Sequence, residues 1–440
     1  MNDITAFFAF LKYCLGYKEN MSRVIAGMDW QMLYSFASKQ ALLGLCFEGI
    51  ERLGEEYPEE LKRNPIGREL LMTWMGKAQQ IRRQNMKVNS VAGKLFSMLR
   101  EDGMRCCVLK GQGNALMYPN PYSRTPGDID VWIDASRERI MEYAQKKFEL
   151  EDDIRLQHLE TSLDGVPVEL HFFPCSMNNP IYHARLQKWF RRNTDLQCSH
   201  IVGLPDEAGD IAIPTTAFNV VYQLTHLYHH FFDEGIGMRQ IIDYFIVVND
   251  FSKNVFLNND LSNPSVSLSK GSSTAFPKPL SPQGTGDVTA PRCSEPLRSK
   301  DGGASKPSPN CAGLDRLDAK GNTTSAALVV VQRELKYLGL WKFAGAVMYV
   351  LHEALGLPEE KMIAPMDKKR GKLLLAEILN GGNFGRHFTK YGHFSQQGMA
   401  KKYFLKIWRN MHFVRYYPAE ALSEPIFRTL HFFWRLKHRR

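Results

Sequence analysis

Two aspartates spaced as Asp128-Ile129-Asp130 are the residues of this chain best placed to do chemistry. Residues 127–133 read as a strand, in which alternation puts Ile129, Val131 and Ile133 on one face and Asp128 and Asp130 on the other. Side by side, two carboxylates disfavour joint ionisation. A hard cation such as Mg2+ relieves that repulsion, since it works through a couple of carboxylates together with substrate phosphates. A solvated strand edge, or a turn that Gly127-Asp128 caps, is the plain alternative for so short a motif. A third acid strengthens the cation reading. In residues 166–173, Val166, Val168, Leu170 and Phe172 share one face while Glu169 and His171 share the other. Laid beside the first strand with matching faces, this one brings Glu169 to the two aspartates. Three such acids and a divalent ion can orient a triphosphate, activate an attacking hydroxyl and stabilise departing pyrophosphate.

Basic and glycine positions surround the acids. The apolar run 106–109 ends at Lys110-Gly111, with Gly113 beyond it. Glycines let backbone approach phosphate, N–H groups face it, and lysine adds a point charge. The Walker A pattern is absent. Arg124, four residues before Asp128, reaches either the same phosphates or Asp128 itself. His171 reads as a group that orients Glu169 more readily than as a direct metal ligand. His226 and His230, four apart, have a spacing that can hold zinc, but Tyr228 and Phe231 around them favour a packed helix. Arg239 and Asp243, also four apart, form an intrahelical pair or point into a cleft.

The elements that must position these residues divide the chain. Residues 1–103 read as helices. Asp29 is the N-cap of one, and a long helix carries an apolar stripe through Leu70, Leu71, Trp74, Met75, Ile81, Met86, Val91, Leu95 and Leu99, ending at Gly103. Residues 104–213 hold strands at 105–109, 127–133, 154–163 and 166–172, a helix at 138–148, and a hairpin signal at Asp164-Gly165. That order predicts an α+β protein, a small mixed-sheet core flanked by N-terminal and C-terminal helical regions. Residues 214–251 and 326–366 read as one helical domain. The Ser, Pro, Gly and Asn-rich segment 252–325 between them cannot bury enough apolar surface to offset its chain entropy and reads as a disordered insertion.

Composition limits the function classes. At 440 residues, 44% hydrophobic and 23% charged, the chain has the make-up of a soluble protein of more than one domain. It has no uninterrupted apolar run long enough to span a bilayer, and its first residues lack a signal-peptide pattern. Eight scattered cysteines with no C-x-x-C point to reduced thiols, and with the missing signal to the cytoplasm. The net charge of +10 belongs to the tail, because residues 368–440 hold 16 Lys/Arg against 3 Asp/Glu. This basic, aromatic helical tail (367–440), with Lys401, Lys406, Trp408, Arg409 and Trp434, suits either docked helices or an anionic partner such as RNA or lipid.

The run L-K-G at Leu109–Gly111, the prolines of the following loop, R-x-x-G-D-I-D at Arg124–Asp130 and V-E-L-H-F at Val168–Phe172 resemble the uncharacterised bacterial nucleotidyltransferase family of the DNA polymerase beta-like superfamily. His229, Gly235, Arg239 and Asp243 are similar to a further pattern of that family, as is Leu355-Gly356-Leu357-Pro358, so that the resemblance covers roughly residues 5–360. It implies an Mg2+-dependent (or Mn2+-dependent) transfer of a nucleoside monophosphate from an NTP, ATP among them, to an acceptor that is protein, RNA or small molecule. It makes Asp128, Asp130 and Glu169 the metal carboxylates and puts Lys110 and Gly111 on the phosphates. The superfamily's Gly-Ser or Gly-Gly pair lies closer to the first aspartate than Gly111-Gln112 does here, and its serine is missing. That departure leaves an alternative: a non-catalytic, nucleotide-binding or regulatory scaffold, associated with a membrane surface or a polysaccharide pathway.

Overall fold

A computed structural model describes residues 3–261, 316–317, 323–387 and 399–438. The chain divides into two units, one of Met1–Val255 with Ala327–Arg440 and one of Phe256–Ala326.

The first unit begins with helices α1 (Asp3–Cys14), α2 (Ser22–Ala26), α3 (Trp30–Lys39), α4 (Leu43–Glu56), α5 (Pro58–Arg63) and the 34-residue α6 (Arg68–Glu101). The Asp29 carboxylate caps α3 by accepting from the Met32 N–H at 2.9 Å. Gly103, at φ +69°, turns the chain out of α6. The buried face of α6 runs through Trp74, Ile81, Val88, Val91, Leu95 and Leu99, whereas Leu71, Met75 and Met86 of the expected stripe are exposed. Polar contacts decide that difference. Asn85 is buried because its side-chain amide donates to the carbonyls of Tyr122 (3.0 Å) and Arg124 (2.8 Å), which seats α6 against the loop that carries Arg124. On the other side of that loop a Cβ at Gly44 of α4 would collide with the Ser123 carbonyl, so only glycine allows the approach.

The central elements are β1 (Cys106–Leu109), α7 (Gly111–Ala115), β2 (Ile129–Ile133), α8 (Arg137–Lys147), β3 (Leu150–Ile154), β4 (His158–Leu163) and β5 (Val166–His171). They form one five-stranded sheet in the order β1-β2-β5-β4-β3. β2 and β5 are parallel and the other neighbours antiparallel, so the sheet is mixed. Asp164 and Gly165, at φ +51° and +72°, make the tight β4–β5 turn as their sequence predicts. The single strand read over 154–163 is two, β3 and β4, interrupted between Ile154 and His158. One sheet face, with Val108, Ile129, Val131, Ile133, Val168 and Leu170, packs with Val88–Leu99 of α6 and with Ile140 and Ala144 of α8. The opposite face carries Trp132, which packs on Phe190 and Phe218 of the following helices.

Those helices are α9 (Pro180–Ser199) and, after the short hairpin β6 (Ile201–Gly203) and β7 (Asp210–Ala212), α10 (Thr216–Asp233) and α11 (Met238–Leu261). α11 continues past the boundary drawn at residue 251. Most of the rest of the 252–325 insertion lies outside the described residues; within the second unit two short strands, β8 (Arg316–Leu317) and β9 (Thr323–Thr324), pair antiparallel. The chain resumes with α12 (Ala326–Tyr337), α13 (Trp341–Leu355), α14 (Lys368–Gly381), α15 (Met399–Met411) and α16 (Pro418–His438). The protein is thus mostly helical α+β, with a small mixed sheet flanked by helices. Among the described residues no helix is long and apolar enough to cross a membrane. Six cysteines there are free thiols.

Part of the tail's basic charge is used internally. Lys406 Nζ and Arg428 Nη2 both reach Asp233 Oδ1, at 2.9 and 2.8 Å, and Arg409 is buried against Phe231 and Phe413. Glu420 of α16 accepts from the backbone N–H groups of Asn178 (2.6 Å) and Asn179 (3.2 Å) and so ties the last helix to the loop after β5. Side chains 401–403 and 435–440 lie outside the described residues.

Candidate functional site

Alternation within β2 and β5 turns Asp130, Glu169 and His171 to the sheet face opposite the α6–α8 core, and the register sets them side by side. Asp130 pairs directly with Glu169 across the parallel strands, and Trp132 with His171. His171 Nε2 stands 3.1 Å from both Asp130 Oδ1 and Glu169 Oε2. Burial opposes charge on this imidazole, but the hydrogen bonds to Asp130 and Glu169 outweigh it and push its pKa up to about 9. Asp128, just before β2, lies open to solvent at the mouth yet crowded by the other acids. The Asp130 charge first, then burial and Glu169, push it up to about 6. The three carboxylates line a single cleft of about 310 Å³ with Lys110, Gly111, Arg124 and Arg239.

Lys110 occupies the junction of β1 and α7 at φ +53° and ψ −127°, a conformation that costs a non-glycine residue free energy and is characteristic of functional sites. The turn aims its ammonium at the acids: Nζ is 2.9 Å from Asp130 Oδ1 and 2.8 Å from His226 Nε2. Burial disfavours the ammonium, but Asp130, Asp128 and Glu169 raise its pKa overall. His226 is held neutral by burial and by the Lys110 charge, and its Nε2 is also 3.1 Å from His230 Nε2. The two histidines therefore line the cleft wall beside a cation, an arrangement unlike a zinc pair.

Arg124 is buried in a bidentate pair with Asp243, Nε to Oδ1 at 2.8 Å and Nη2 to Oδ2 at 2.9 Å, and Tyr118 donates to the same carboxylate at 2.8 Å. The intrahelical Arg239–Asp243 pairing gives way to this contact, because a guanidinium fork across the fold matches both carboxylate oxygens. Arg239 instead donates to the Thr125 carbonyl at 3.1 Å and lies 5.6 Å from the Phe384 ring centroid. Burial, then the like charge of Arg124, disfavour its own charge. Among the described residues Arg124 Nη1 and Arg239 Nε have no hydrogen-bond partner. Both guanidinium groups line the cleft, where their positive charge suits an anionic ligand.

Gly113 is the exception among the expected site residues. It sits inside α7 against Ile213, where a larger residue would collide, and does not line the cleft. Among the cleft residues that the sequence did not single out are His158, Gln157 and Phe384. For His158 a signal existed: counting outward from the Asp164-Gly165 turn puts it directly across from His171. Asp233 stands out in the sequence beside the histidines at 226, 229 and 230, but its pairing had no signal, since its partners Lys406 and Arg428 lie far along the chain.

The mixed-sheet α+β core thus brings three acids, one lysine and two arginines to the wall of one cleft. Residues 26–262, more than half of the chain, match the family described as "Uncharacterised nucleotidyltransferase", and the chain belongs to that family. The match is shorter than the span of resemblance read from the motifs. Among solved structures the chain is similar to an antigenic nucleotidyltransferase-like protein from Paracoccidioides brasiliensis, with 15% identity, 40% of this chain and 90% of that chain covered, and a TM-score of 0.26. No curated protein matches the chain.

Proposed function

We propose that this protein is an Mg2+-dependent nucleotidyltransferase, with Mn2+ able to replace Mg2+, which moves a nucleoside monophosphate from an NTP to an acceptor. The observation that carries the reading is the side-by-side register of Asp130 and Glu169 with Asp128 turned into the same cleft. The donor set fits the ion, being three hard carboxylates whose mutual repulsion is recorded in the raised pKa of Asp128. When bound, Mg2+ supplies the positive charge that offsets the triphosphate and the departing pyrophosphate. The protein's part is positioning. Arg124 and Arg239 place two guanidinium charges on the cleft wall for the phosphates, Lys110 adds a point charge beside Asp130, and Gly111 lets a phosphate come close to the backbone. Phe384 presents an aromatic face beside Arg239 on which a base can stack.

The test is incubation with each α-labelled NTP, Mg2+ or Mn2+, and cell extract as acceptor source. Label should pass to an acceptor with the native chain and not with Asp128→Ala/Asp130→Ala, and calorimetry should show Mg2+-dependent NTP binding lost in the same variant. Equal transfer by the double variant would sink the assignment. A second reading, a nucleotide-binding regulatory scaffold, is favoured by one observation: Lys110 and His171 already neutralise Asp130. It predicts NTP binding without transfer to any acceptor. For the tail we propose an anionic lipid surface as partner, since Leu422, Ile426 and Leu430 are exposed at helical spacing on α16, which ends the basic tail. Flotation with anionic vesicles, native against Ile426→Ser/Leu430→Ser, tests it, and equal flotation removes it.

A further inference from the structure

We propose that His158, Glu169 and His171 form a binding site for a divalent transition-metal ion of the zinc type, which shares Glu169 with the three-carboxylate set and adds two imidazoles in place of the aspartates. One ligand atom from each of the three lies within 4.8 Å of the others. Ligands held about 2.0–2.2 Å from one ion are separated by no more than about twice that distance, so the three can close on a metal with little backbone movement. The hairpin register makes this arrangement stiff, because His158 and His171 are direct partners across β4 and β5, their ring centroids 4.9 Å apart and the rings inclined by 55°.

His158 is the observation that points to a ligand. It is 7% exposed, lines the cleft, and neither ring nitrogen makes a hydrogen bond among the described residues, although Nδ1 lies 3.3 Å from Glu169 Oε2. A buried polar group left without a partner is unusual and calls for an unseen one. Its other acidic neighbour, Glu160, is 3.6 Å from Nε2 but is engaged by Arg155 at 2.7 Å, which leaves Glu169 as the carboxylate ligand. Two imidazoles select zinc-type ions over Mg2+, which prefers oxygen. His171 Nε2, 3.1 Å from both Asp130 and Glu169, already faces the ion's position, and the Gln157 amide, 3.3 Å from His171 Nδ1, would hold that ring in place. Three protein ligands leave a coordination position for water or for a substrate oxygen.

The test uses the full chain, stripped of metal by chelation and titrated with Co2+ as a spectroscopic probe. One equivalent should bind with visible d–d absorption, yield to Zn2+ and resist a large excess of Mg2+. Zinc X-ray absorption should show two imidazole ligands. His158→Ala should weaken binding by about 100-fold or more, while Asp128→Asn should leave it unchanged. His158→Gln replaces the alanine variant if circular dichroism shows that one misfolded. Absence of stoichiometric binding, fewer than two imidazoles, native affinity without His158, displacement by Mg2+, or loss of binding in Asp128→Asn would each overturn the proposal. Label transfer is read separately, so failure of this site and failure of the nucleotidyltransferase reading remain distinguishable.

Discussion

Asp130 and Glu169 face one another across parallel strands, and a single imidazole nitrogen, Nε2 of His171, lies 3.1 Å from a carboxylate oxygen of each. The sheet thus stores two acids and a cation where an ion of higher charge can act, and this sets the pH behaviour of the metal-free chain.

The His171 pKa, ordinarily 6.5, is raised to about 9 in the fold. A raised folded-state value means that this contribution is fully present below pH 6.5 and disappears as pH climbs through 9. It is on the order of 3 kcal/mol. Thermal melts in chelator should therefore fall across that window for the native chain and stay flatter for His171→Gln.

Asp128 behaves with the opposite sign. Its pKa is raised from 3.8 to about 6, so the ionised carboxylate destabilises the fold above that pH and the penalty vanishes below 3.8. Asp128→Asn should melt higher than the native chain at neutral pH without metal. Water at the open mouth screens the repulsion, so the gain is about 1 kcal/mol, or about 1–2 °C. Added Mg2+ should narrow or reverse the difference.

Asp243 holds Arg124 and Tyr118 in a buried cluster. Asp243→Ala strands a guanidinium in the interior and should cost about 3–5 kcal/mol in urea denaturation. Arg124→Lys keeps the charge but loses the fork, and should weaken NTP binding measured by calorimetry.

Glu420 tests how the last helix is held. Removing its carboxylate in Glu420→Ala leaves two backbone donors without an acceptor, for a loss of about 2–3 kcal/mol by chemical denaturation. Glu420→Gln retains a carbonyl acceptor and should lose less. Burial pushes the Glu420 pKa up to about 7, so the native chain should approach the glutamine variant as pH falls below that value.

Local chemistry made much of this legible from residues alone. A period of two separates Asp130 from Val131 onto opposite faces wherever the strand lies, and Asp-Gly at 164–165 dictates both the turn and the register that follows it. The Asp29 cap and the Gly103 exit from α6 are of the same kind, each set by a residue's own conformational preference. Partner choice is not local. Arg124 reads equally well as a phosphate ligand or a mate for Asp128, and only the packing of α11 beside its loop gives it Asp243. The strained turn at Lys110 delivers its ammonium to Asp130 and His226, which no spacing rule foresees. The sequence leaves the tail between docked helices and an anionic partner, and Lys406 and Arg428 closing on Asp233 show that part of its charge is spent on docking. In each case the contact joins residues far apart in the chain, and its free energy exists only once the hydrophobic core has brought their elements together.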